Sequence, residues 1–205
     1  MAERLAETRQ RSSERVAHRV QAIVGVSVFP DPGEGPRALR ADSQFPPDAG
    51  GPSARLPRLR LAADFEELRQ RSDARLAASG KRPCVFLASM GPLAAHTARS
   101  TWAANLLAAG GFEAVSGDGF PDAAAAAAAF AAIGLRAAVV CASDAFLDEA
   151  LPAVVKALRE AGAKRVVVAA PPRPSLADAG ADAFVHRGSD ALAFLRSLWE
   201  EEAER

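Results

Sequence analysis

Residues 82–115 read RPCVFLASMGPLAAHTARSTWAANLLAAGGFEAV, and three patterns follow one another within them. Residues 83–89 form a short apolar run, residues 96–111 have the composition of a helix, and residues 112–117 are strand-like again. A strand, a helix and a second strand within about 35 residues are typical of a βαβ unit, in which the two strands lie parallel. We therefore expect a parallel sheet to begin at this point in the chain.

The same alternation of strand and helix continues to the end of the chain. Further apolar runs at 136–143, 164–170 and 184–188 follow helical segments, and an amphipathic helical segment ends the sequence. Strands that are continuous apolar runs indicate a parallel sheet covered by helices on both faces. The sequence therefore predicts a doubly wound α/β domain over residues 82–200, flavodoxin-like or Rossmann-like, with a five-stranded parallel sheet flanked by helices.

A helical and linker extension precedes this domain. Residues 1–30 combine a charged, mostly exposed helix over 2–22 with a short extended segment. Residues 31–60 are rich in proline and glycine, which predicts a linker or a segment wrapped on a partner, because this composition buries too little surface to offset the cost of ordering. Apolar side chains then recur at helical spacing over 62–79, so residues 61–81 are predicted to be a connecting helix.

The charge balance argues against two classes of partner, and the cysteines indicate the compartment. Lys plus Arg number 25, as do Asp plus Glu, so there is no excess positive charge for nucleic acid or for an anionic membrane. Cys84 and Cys141 both lie in apolar runs, which favours free thiols in a reducing compartment. The charged first 20 residues lack the apolar core of a secretory signal, and no apolar run of membrane-spanning length follows. We expect a cytoplasmic protein.

The loops that would form a ligand crevice carry no nucleotide or hydrolase motif. The loop SMGPLAAH has neither the GxGxxG fingerprint nor the phosphate-binding GxxxxGK[ST] pattern. Ser89 lacks the GxSxG context of a serine hydrolase, and Cys141 has no basic sequence neighbour to activate its thiol. Asp118, Asp122 and Asp144 stand beside glycine, proline or a helix start. We interpret them as turn or capping residues, with Asp122 and Asp144 as the caps of the helices that follow them.

The three histidines do not form a closed zinc site, because they are scattered and lack a cysteine or carboxylate cluster at ligand spacing. His18 and His186 stand among charged residues and are expected at the surface. A lone imidazole can nevertheless be an axial ligand where a macrocycle supplies the other positions. His96 is the candidate for that role, and the other interpretation is a partly buried structural histidine at a helix start.

Three segments carry a resemblance to a known family. The segment 82–115, the segment AVVCASDAFLDEALPAVVKALREAGAKRVVVAA and the segment AGADAFVHRGSDALAFLRSL together resemble the carboxy-terminal domain of methylmalonyl-CoA mutases, specifically that of their small subunits. AIVGVSVFP resembles the segment that leads out of the barrel domain of the same subunit. The resemblance covers nearly the whole chain, and GPLAAHTAR is its most specific motif. It implies a cobalamin-binding-like domain.

The chain departs from the family's cobalamin motif at most positions. In the family the first loop reads DxHxxG, where the histidine binds cobalt, the aspartate orients it and the glycine lets the chain pass close to the corrin. The matching frame here has Ala94, His96 and Arg99, so only the histidine remains. A Gly-Gly pair that makes room for the nucleotide tail corresponds to Ala170-Pro171, while Ser143 matches a hydroxyl residue of the tail pocket. The resemblance therefore implies a degenerate cobalamin site.

These observations predict a noncatalytic small-subunit component of an adenosylcobalamin-dependent methylmalonyl-CoA mutase. It would stabilise a large catalytic subunit, a separately encoded barrel subunit, or both, with adenosylcobalamin held by the partner and no cofactor held by this chain. The helix 2–22 and the segment 31–57 would become ordered on that partner.

Two alternatives stay open. In the first, the chain is a functional cobalamin-binding domain or subunit of an acyl-CoA mutase, with His96 as the lower axial cobalt ligand and Ser143 in the tail pocket. In the second, it is a sensory or adaptor domain that binds another protein without a cofactor. The second would need an acidic cluster at the strand ends, and Asp118 and Asp144 are isolated in the sequence.

Overall fold

The computed structural model describes residues 2–34 and 60–203, and all five strands lie in one parallel sheet. The strand order is β2-β1-β3-β4-β5, which is the flavodoxin-like order of a doubly wound fold. The predicted fold is thus confirmed. The strands are β1 (Cys84–Ser89), β2 (Glu113–Ser116), β3 (Ala137–Cys141), β4 (Arg165–Val168) and β5 (Ala183–Phe184). The helices are α1 (Ala2–Ala17), α2 (Ala63–Ser79), α3 (Leu93–Ala109), α4 (Ala123–Ile133), α5 (Asp144–Glu160) and α6 (Ala191–Ala203), and a 3₁₀ helix spans Pro174–Ala179.

Two hydrophobic cores lie on opposite faces of the sheet, because side chains alternate along each strand. In β1, Val85 and Leu87 enter the core that α1, α2, α3 and α6 cover, whereas Phe86 and Ala88 enter the core beneath α4 and α5. Phe86 packs there against Phe130, with ring centroids 5.5 Å apart. Since both faces of β1 are apolar and covered, the strand is a continuous apolar run in the sequence.

Capping residues account for several helix boundaries. The carboxylate of Asp122 accepts a hydrogen bond from the amide of Ala125 at 2.8 Å and begins α4, as predicted. The prediction that Asp144 caps α5 is wrong. Ser143 is the cap, and its hydroxyl accepts a bond from the Phe146 amide at 3.3 Å. Serine and aspartate are equally good caps, so a Ser-Asp pair in the sequence does not show which of the two residues caps the helix.

The segment before the domain is a structured part of the fold. Helix α1 ends at Ala17, five residues before the predicted end, and buries Val16 in the core beside α6. Helix α2 lies where a helix was predicted and places Phe65 and Leu68 in the same core. Residues 35–59, most of the predicted linker, lie outside the described residues, and the predicted division into domains stays a prediction.

Two strand predictions need correction. The extended segment predicted within 22–30 is a tight loop, because Gly25 has a φ of +78° and the Ser27 hydroxyl accepts a hydrogen bond from the Ile23 amide at 2.9 Å. A single bridge between Val24 and Val28 is all that remains of strand pairing there. The fifth strand, predicted over 184–188, is reduced to two residues, and the chain after it turns into the loop that begins α6.

Candidate functional site

The candidate site lies at the carboxyl end of the sheet, between β1 and β3. The chain leaves these two neighbouring strands in opposite directions, so a doubly wound sheet binds its ligands at this point. His96 stands in the first turn of α3, which follows β1, and Ser143 and Asp144 stand where β3 passes into α5. The fold therefore places the predicted site residues, from segments about 50 residues apart in the chain, at the same edge of the sheet.

His96 is buried, with 4% of its surface exposed, and belongs to a short chain of hydroxyl groups. Its Nδ1 lies 3.3 Å from the hydroxyl oxygen of Ser100, one helical turn further along α3. That hydroxyl lies 2.8 Å from the hydroxyl of Ser89 at the end of β1. Ala94, at the position where the family has an aspartate, contributes no polar group to the ring. The imidazole is thus oriented by a neutral hydroxyl from its own helix.

The other ring nitrogen, Nε2, is buried without a hydrogen-bond partner. It faces the loop that follows β2, where a Cβ added to Gly119 would lie 2.9 Å from Nε2 and 2.8 Å from the carbonyl oxygen of Gly91. This loop is tied to the end of β1, because Phe120 donates to the Ser89 carbonyl at 2.7 Å and accepts from the Gly91 amide at 2.8 Å. The backbone after β2 thus covers the free nitrogen of His96.

Arg99 extends across the end of the sheet from the next turn of α3. Its Nη1 donates to the carbonyl oxygen of Ala142, and its Nη2 donates to the carboxylate of Asp144 at 2.6 Å. Arg173, in the loop after β4, donates to the same carboxylate oxygen at 2.9 Å and also pairs with Asp148 at 3.2 Å. The hydrogen bond from Arg99 and the two guanidinium charges lower the pKa of Asp144. An ion-pair network therefore joins the loops after β3 and β4 to α3.

The residues that follow the central strands offer few free polar groups to a ligand. Met90, Ala142 and Ala170 stand just beyond the ends of β1, β3 and β4, and each is at most 1% exposed because it packs in the core beneath α4 and α5. Ser143, the predicted tail-pocket residue, uses its hydroxyl to cap α5. Pro171 and Pro172 occupy the loop after β4, where neither residue has an amide hydrogen to offer a ligand.

Neither cysteine has the environment of a reactive thiolate. Cys141 is fully buried, and burial raises the pKa of its thiol to about 12. Burial and the nearby Glu113 carboxylate also raise the pKa of the Cys84 thiol. Both are free cysteines, as predicted. Because the thiolate is the nucleophilic form, the interpretation of Cys141 as a buried hydrophobe agrees with the structure.

A second feature was not predicted from the sequence. A groove of about 1050 Å³ lies between the loop 18–30, α3 and the start of α6. His18 and His186, predicted to be exposed, are half-buried in its wall, and the Nδ1 of His18 bonds to the Gly188 carbonyl at 2.8 Å. The charged sequence around both histidines gave no sign of this groove, because residues 170 positions apart form it.

The described residues were also compared with the requirements for a membrane-spanning helix and for a metal site. None of the helices within residues 2–34 and 60–203 combines the length and the apolar character that a membrane crossing requires. Within the same residues, no three His, Cys, Asp or Glu side chains are grouped so that they could hold a metal ion.

Comparisons with known proteins identify the family. No protein-family model matches the chain. A curated relative from Streptomyces virginiae, named methylmalonyl-CoA mutase small subunit, is 46% identical over 95% of this chain and 30% of its own length. A probable methylmalonyl-CoA mutase small subunit from Mycobacterium tuberculosis H37Rv is 42% identical over 87% of this chain and 27% of its own length. A methylmalonyl-CoA mutase small subunit from Porphyromonas gingivalis is 33% identical over 68% of this chain and 22% of its own length. The chain thus spans less than a third of the length of these relatives. It belongs to the methylmalonyl-CoA mutase small-subunit family.

Proposed function

We propose that the chain is a noncatalytic small-subunit component of an adenosylcobalamin-dependent methylmalonyl-CoA mutase, whose own cobalamin site is degenerate. Its role is to pack against and stabilise a catalytic partner that carries the cofactor. That partner is a large catalytic subunit, a separately encoded barrel subunit, or both. Membership of a small-subunit family supports the existence of a larger partner, because a small subunit is named relative to one.

The Arg99 side chain is the observation that carries this proposal. It occupies the position of the glycine in the family's DxHxxG motif. Its guanidinium is held by the Ala142 carbonyl and the Asp144 carboxylate. A corrin at this edge would have to displace a charged side chain that already satisfies a main-chain acceptor and an anion. The residues at the edge therefore do not fit a tetrapyrrole.

The environment of His96 supports the same conclusion. A cobalt-binding histidine needs its second nitrogen held by a good acceptor, which fixes the tautomer and raises the basicity of the ligand. Here Nδ1 has a neutral hydroxyl at 3.3 Å, and Nε2 faces the backbone of Gly119 instead of open space. A metal could reach Nε2 only if the loop after β2 separated from the end of β1.

One observation favours the alternative of a functional cobalamin-binding domain. Nε2 of His96 is a buried nitrogen without a hydrogen-bond partner, and such an atom would gain a partner by ligating cobalt. In that case His96 would be the lower axial ligand, and the loop after β2 would open when the cofactor binds. Ser143 would then have to serve the nucleotide tail as well as the start of α5.

The proposed function is tested by adding this chain to the purified large mutase subunit. We expect the two to form a complex in sedimentation, the melting temperature of the large subunit to rise, and the complex to contain one cobalamin for each large subunit. A large subunit whose melting temperature is unchanged by an excess of the chain, with no complex formed either with it or with a separately encoded barrel subunit, would overturn the proposal. Two cobalamins for each complex would instead support the alternative.

A further inference from the structure

We propose that residues 19–29 form a strap that opens as one cooperative unit. Its hinges are Arg19 and Phe29, and its latch is the side-chain oxygen of Asn105. In the structure the strap is closed and forms one wall of the groove of about 1050 Å³. Opening withdraws Arg19 from the ring of Trp102 and widens the groove, so the strap controls how much of α3 is exposed. The device does not depend on the proposed function, because every contact that forms it lies within this chain.

A single oxygen atom holds both ends of the strap. Oδ1 of Asn105, on α3, accepts a hydrogen bond from Nη2 of Arg19 at 2.7 Å and from the Phe29 amide at 3.3 Å. Since Arg19 and Phe29 stand at opposite ends of the strap, these two bonds close it around one side chain. Loss of this one acceptor would therefore release both ends together.

The two residues at the ends of the strap have strained backbones. Arg19 has a φ of +56° and Phe29 a φ of +49°, and within residues 2–34 and 60–203 they are the two residues other than glycine with positive φ. Arg19 takes a left-handed position after α1 that glycine usually fills, and the same conformation is costly for an aromatic residue such as Phe29. Because this strain is relieved when the backbone rotates, both residues favour opening and can serve as hinges.

The residues inside the strap are bonded to one another. The Gly25 amide donates to the Val28 carbonyl at 2.8 Å, and the Ser27 amide donates to the Ile23 carbonyl at 2.9 Å. The Ile23 amide in turn donates to the Ser27 hydroxyl at 2.9 Å. Because these bonds link its residues, the strap is kept or lost as one unit and not residue by residue.

Fixed contacts lie just outside the two hinges. Before the strap, Nδ1 of His18 bonds to the Gly188 carbonyl at 2.8 Å. After it, Arg69 of α2 donates to the Asp31 carbonyl at 3.0 Å. A second bond from Arg69, to the Gly25 carbonyl at 3.0 Å, is exposed, so water can replace it when the strap opens. The motion is therefore confined to the strap, while the chain on either side stays attached to the domain.

Few apolar contacts hold the strap closed. Ile23 and Val26 pack against the core but are only partly buried, while Val20, Val24 and Phe29 are between 67% and 78% exposed. Segments that bury little apolar surface and are held by exposed hydrogen bonds are the ones that open locally in a native protein. The strap has both properties, so hydrogen bonds and not core packing determine its position.

The closed position also confines the charge of Arg19. Its Nε and Nη1 are buried without hydrogen-bond partners among the described residues, and its guanidinium carbon lies 5.9 Å from the centre of the Trp102 ring. Burial and the nearby charge of Arg187 lower the pKa of Arg19. The contacts with Trp102 and Asn105 offset part of the cost of burying this cation, so removal of either contact favours the open strap.

The experiment measures hydrogen exchange of the full chain at pH 7 and compares the amides of residues 20–29 with those of β3 and β4. Asn105→Leu keeps the size of the latch but removes its oxygen, and we expect exchange of the strap amides to accelerate about tenfold. Asn105→Asp places a carboxylate against the Arg19 guanidinium and the Phe29 amide, so exchange should slow severalfold. Arg187→Gln removes the repulsion from Arg19 and should also slow it.

Thr101→Leu is the matched control. Thr101 stands one turn before Asn105 on α3 and lines the same groove, and neither of the strap's bonds to α3 reaches it. This variant should leave exchange of the strap amides unchanged. In every variant the amides of Gly25, Ser27 and Phe29 should share one protection factor, because the strap opens as a unit.

Equal exchange rates for Asn105→Leu and Thr101→Leu would overturn the latch. Faster exchange in Asn105→Asp would overturn it as well, because it would show that Asn105 only fills space. If Asn105→Leu also speeds exchange in β3 and β4, the domain itself is destabilised and Asn105→Asp decides: slower strap exchange supports the latch, and unchanged exchange overturns it. Different protection factors for the amides of Gly25, Ser27 and Phe29 would show that the strap does not open as a unit.

Discussion

The guanidinium of Arg99 and the carboxylate of Asp144 form an ion pair at 2.6 Å across the carboxyl end of the sheet, where this fold class binds its ligands. The pair connects the second turn of α3 to the first residue of α5, and Arg173 joins it from the loop after β4. Protein side chains therefore bridge three of the segments that would surround a ligand. The loop after β2 covers another part of this edge, because its backbone is hydrogen-bonded to the end of β1.

Asp144→Asn should destabilise the fold slightly at neutral pH and less in acid. The pKa of Asp144 is lowered in the folded state, so its contribution is present above its ordinary value of 3.8 and is lost as the pH falls through the lower, folded-state value. Because the side chain is 59% exposed, we expect a loss of about 0.5–1 kcal/mol at pH 7. Urea unfolding at pH 7 and at pH 3 checks this.

Asp118→Asn is the control, since Asp118 is exposed on the neighbouring loop and has no ion pair within the residues the structure describes. It should leave the free energy of unfolding unchanged at both pH values. Equal losses from Asp118→Asn and Asp144→Asn would show that net charge, not the contacts of Asp144 with Arg99 and Arg173, determines the effect.

Gly119→Ala should destabilise the protein more than Gly134→Ala. Both glycines have positive φ, but a Cβ at Gly134 meets nothing within 4 Å, whereas one at Gly119 meets the Gly91 carbonyl oxygen at 2.8 Å and Nε2 of His96 at 2.9 Å. We expect about 1 kcal/mol for Gly134→Ala from backbone strain, and about 2–3 kcal/mol for Gly119→Ala because the loop must also move. Thermal and urea unfolding measure both. Equal losses in the free energy of unfolding would mean that the loop after β2 is not in close contact with His96.

The two thiols should differ in their reaction with Ellman's reagent at pH 8. Cys84 is partly exposed and should react slowly because its raised pKa leaves little thiolate. Cys141 should react only as fast as the protein unfolds, because it is fully buried with a pKa of about 12. In denaturant both should react at the same rate. Fast labelling of Cys141 in the native protein would contradict its placement in the core.

The sheet could be predicted from the sequence because each strand carries its own local signal. Apolar runs such as 83–89 and 136–143 match β1 and β3 to within two residues at each end. The segment 22–30 was predicted to be extended for the same reason, because its β-branched residues are typical of a strand. The features that make it a loop are the left-handed Gly25 and the bond between Ser27 and Ile23, and neither is visible in a pattern of apolar residues.

The candidate site was predictable only in part. The resemblance pointed to His96 and Arg99 because both belong to the short segment that matches the family's cobalamin motif. It could not show that Gly119 covers His96, or that Arg99 pairs with Asp144, because these contacts join residues 23 and 45 positions apart. The groove at Arg19 and Phe29 depends on Asn105, which is still more distant in the chain. Contacts of this kind follow from the tertiary fold and leave no local trace in the sequence.

The most direct test of the account is the visible spectrum of adenosylcobalamin mixed with this chain. We predict the spectrum of the free cofactor at every protein concentration, because Arg99 and the loop after β2 occupy the carboxyl end of the sheet. His96→Ala should give the same spectrum as the unaltered chain. A shift to the spectrum of histidine-ligated cobalamin, present with the unaltered chain and absent with His96→Ala, would contradict the central claim.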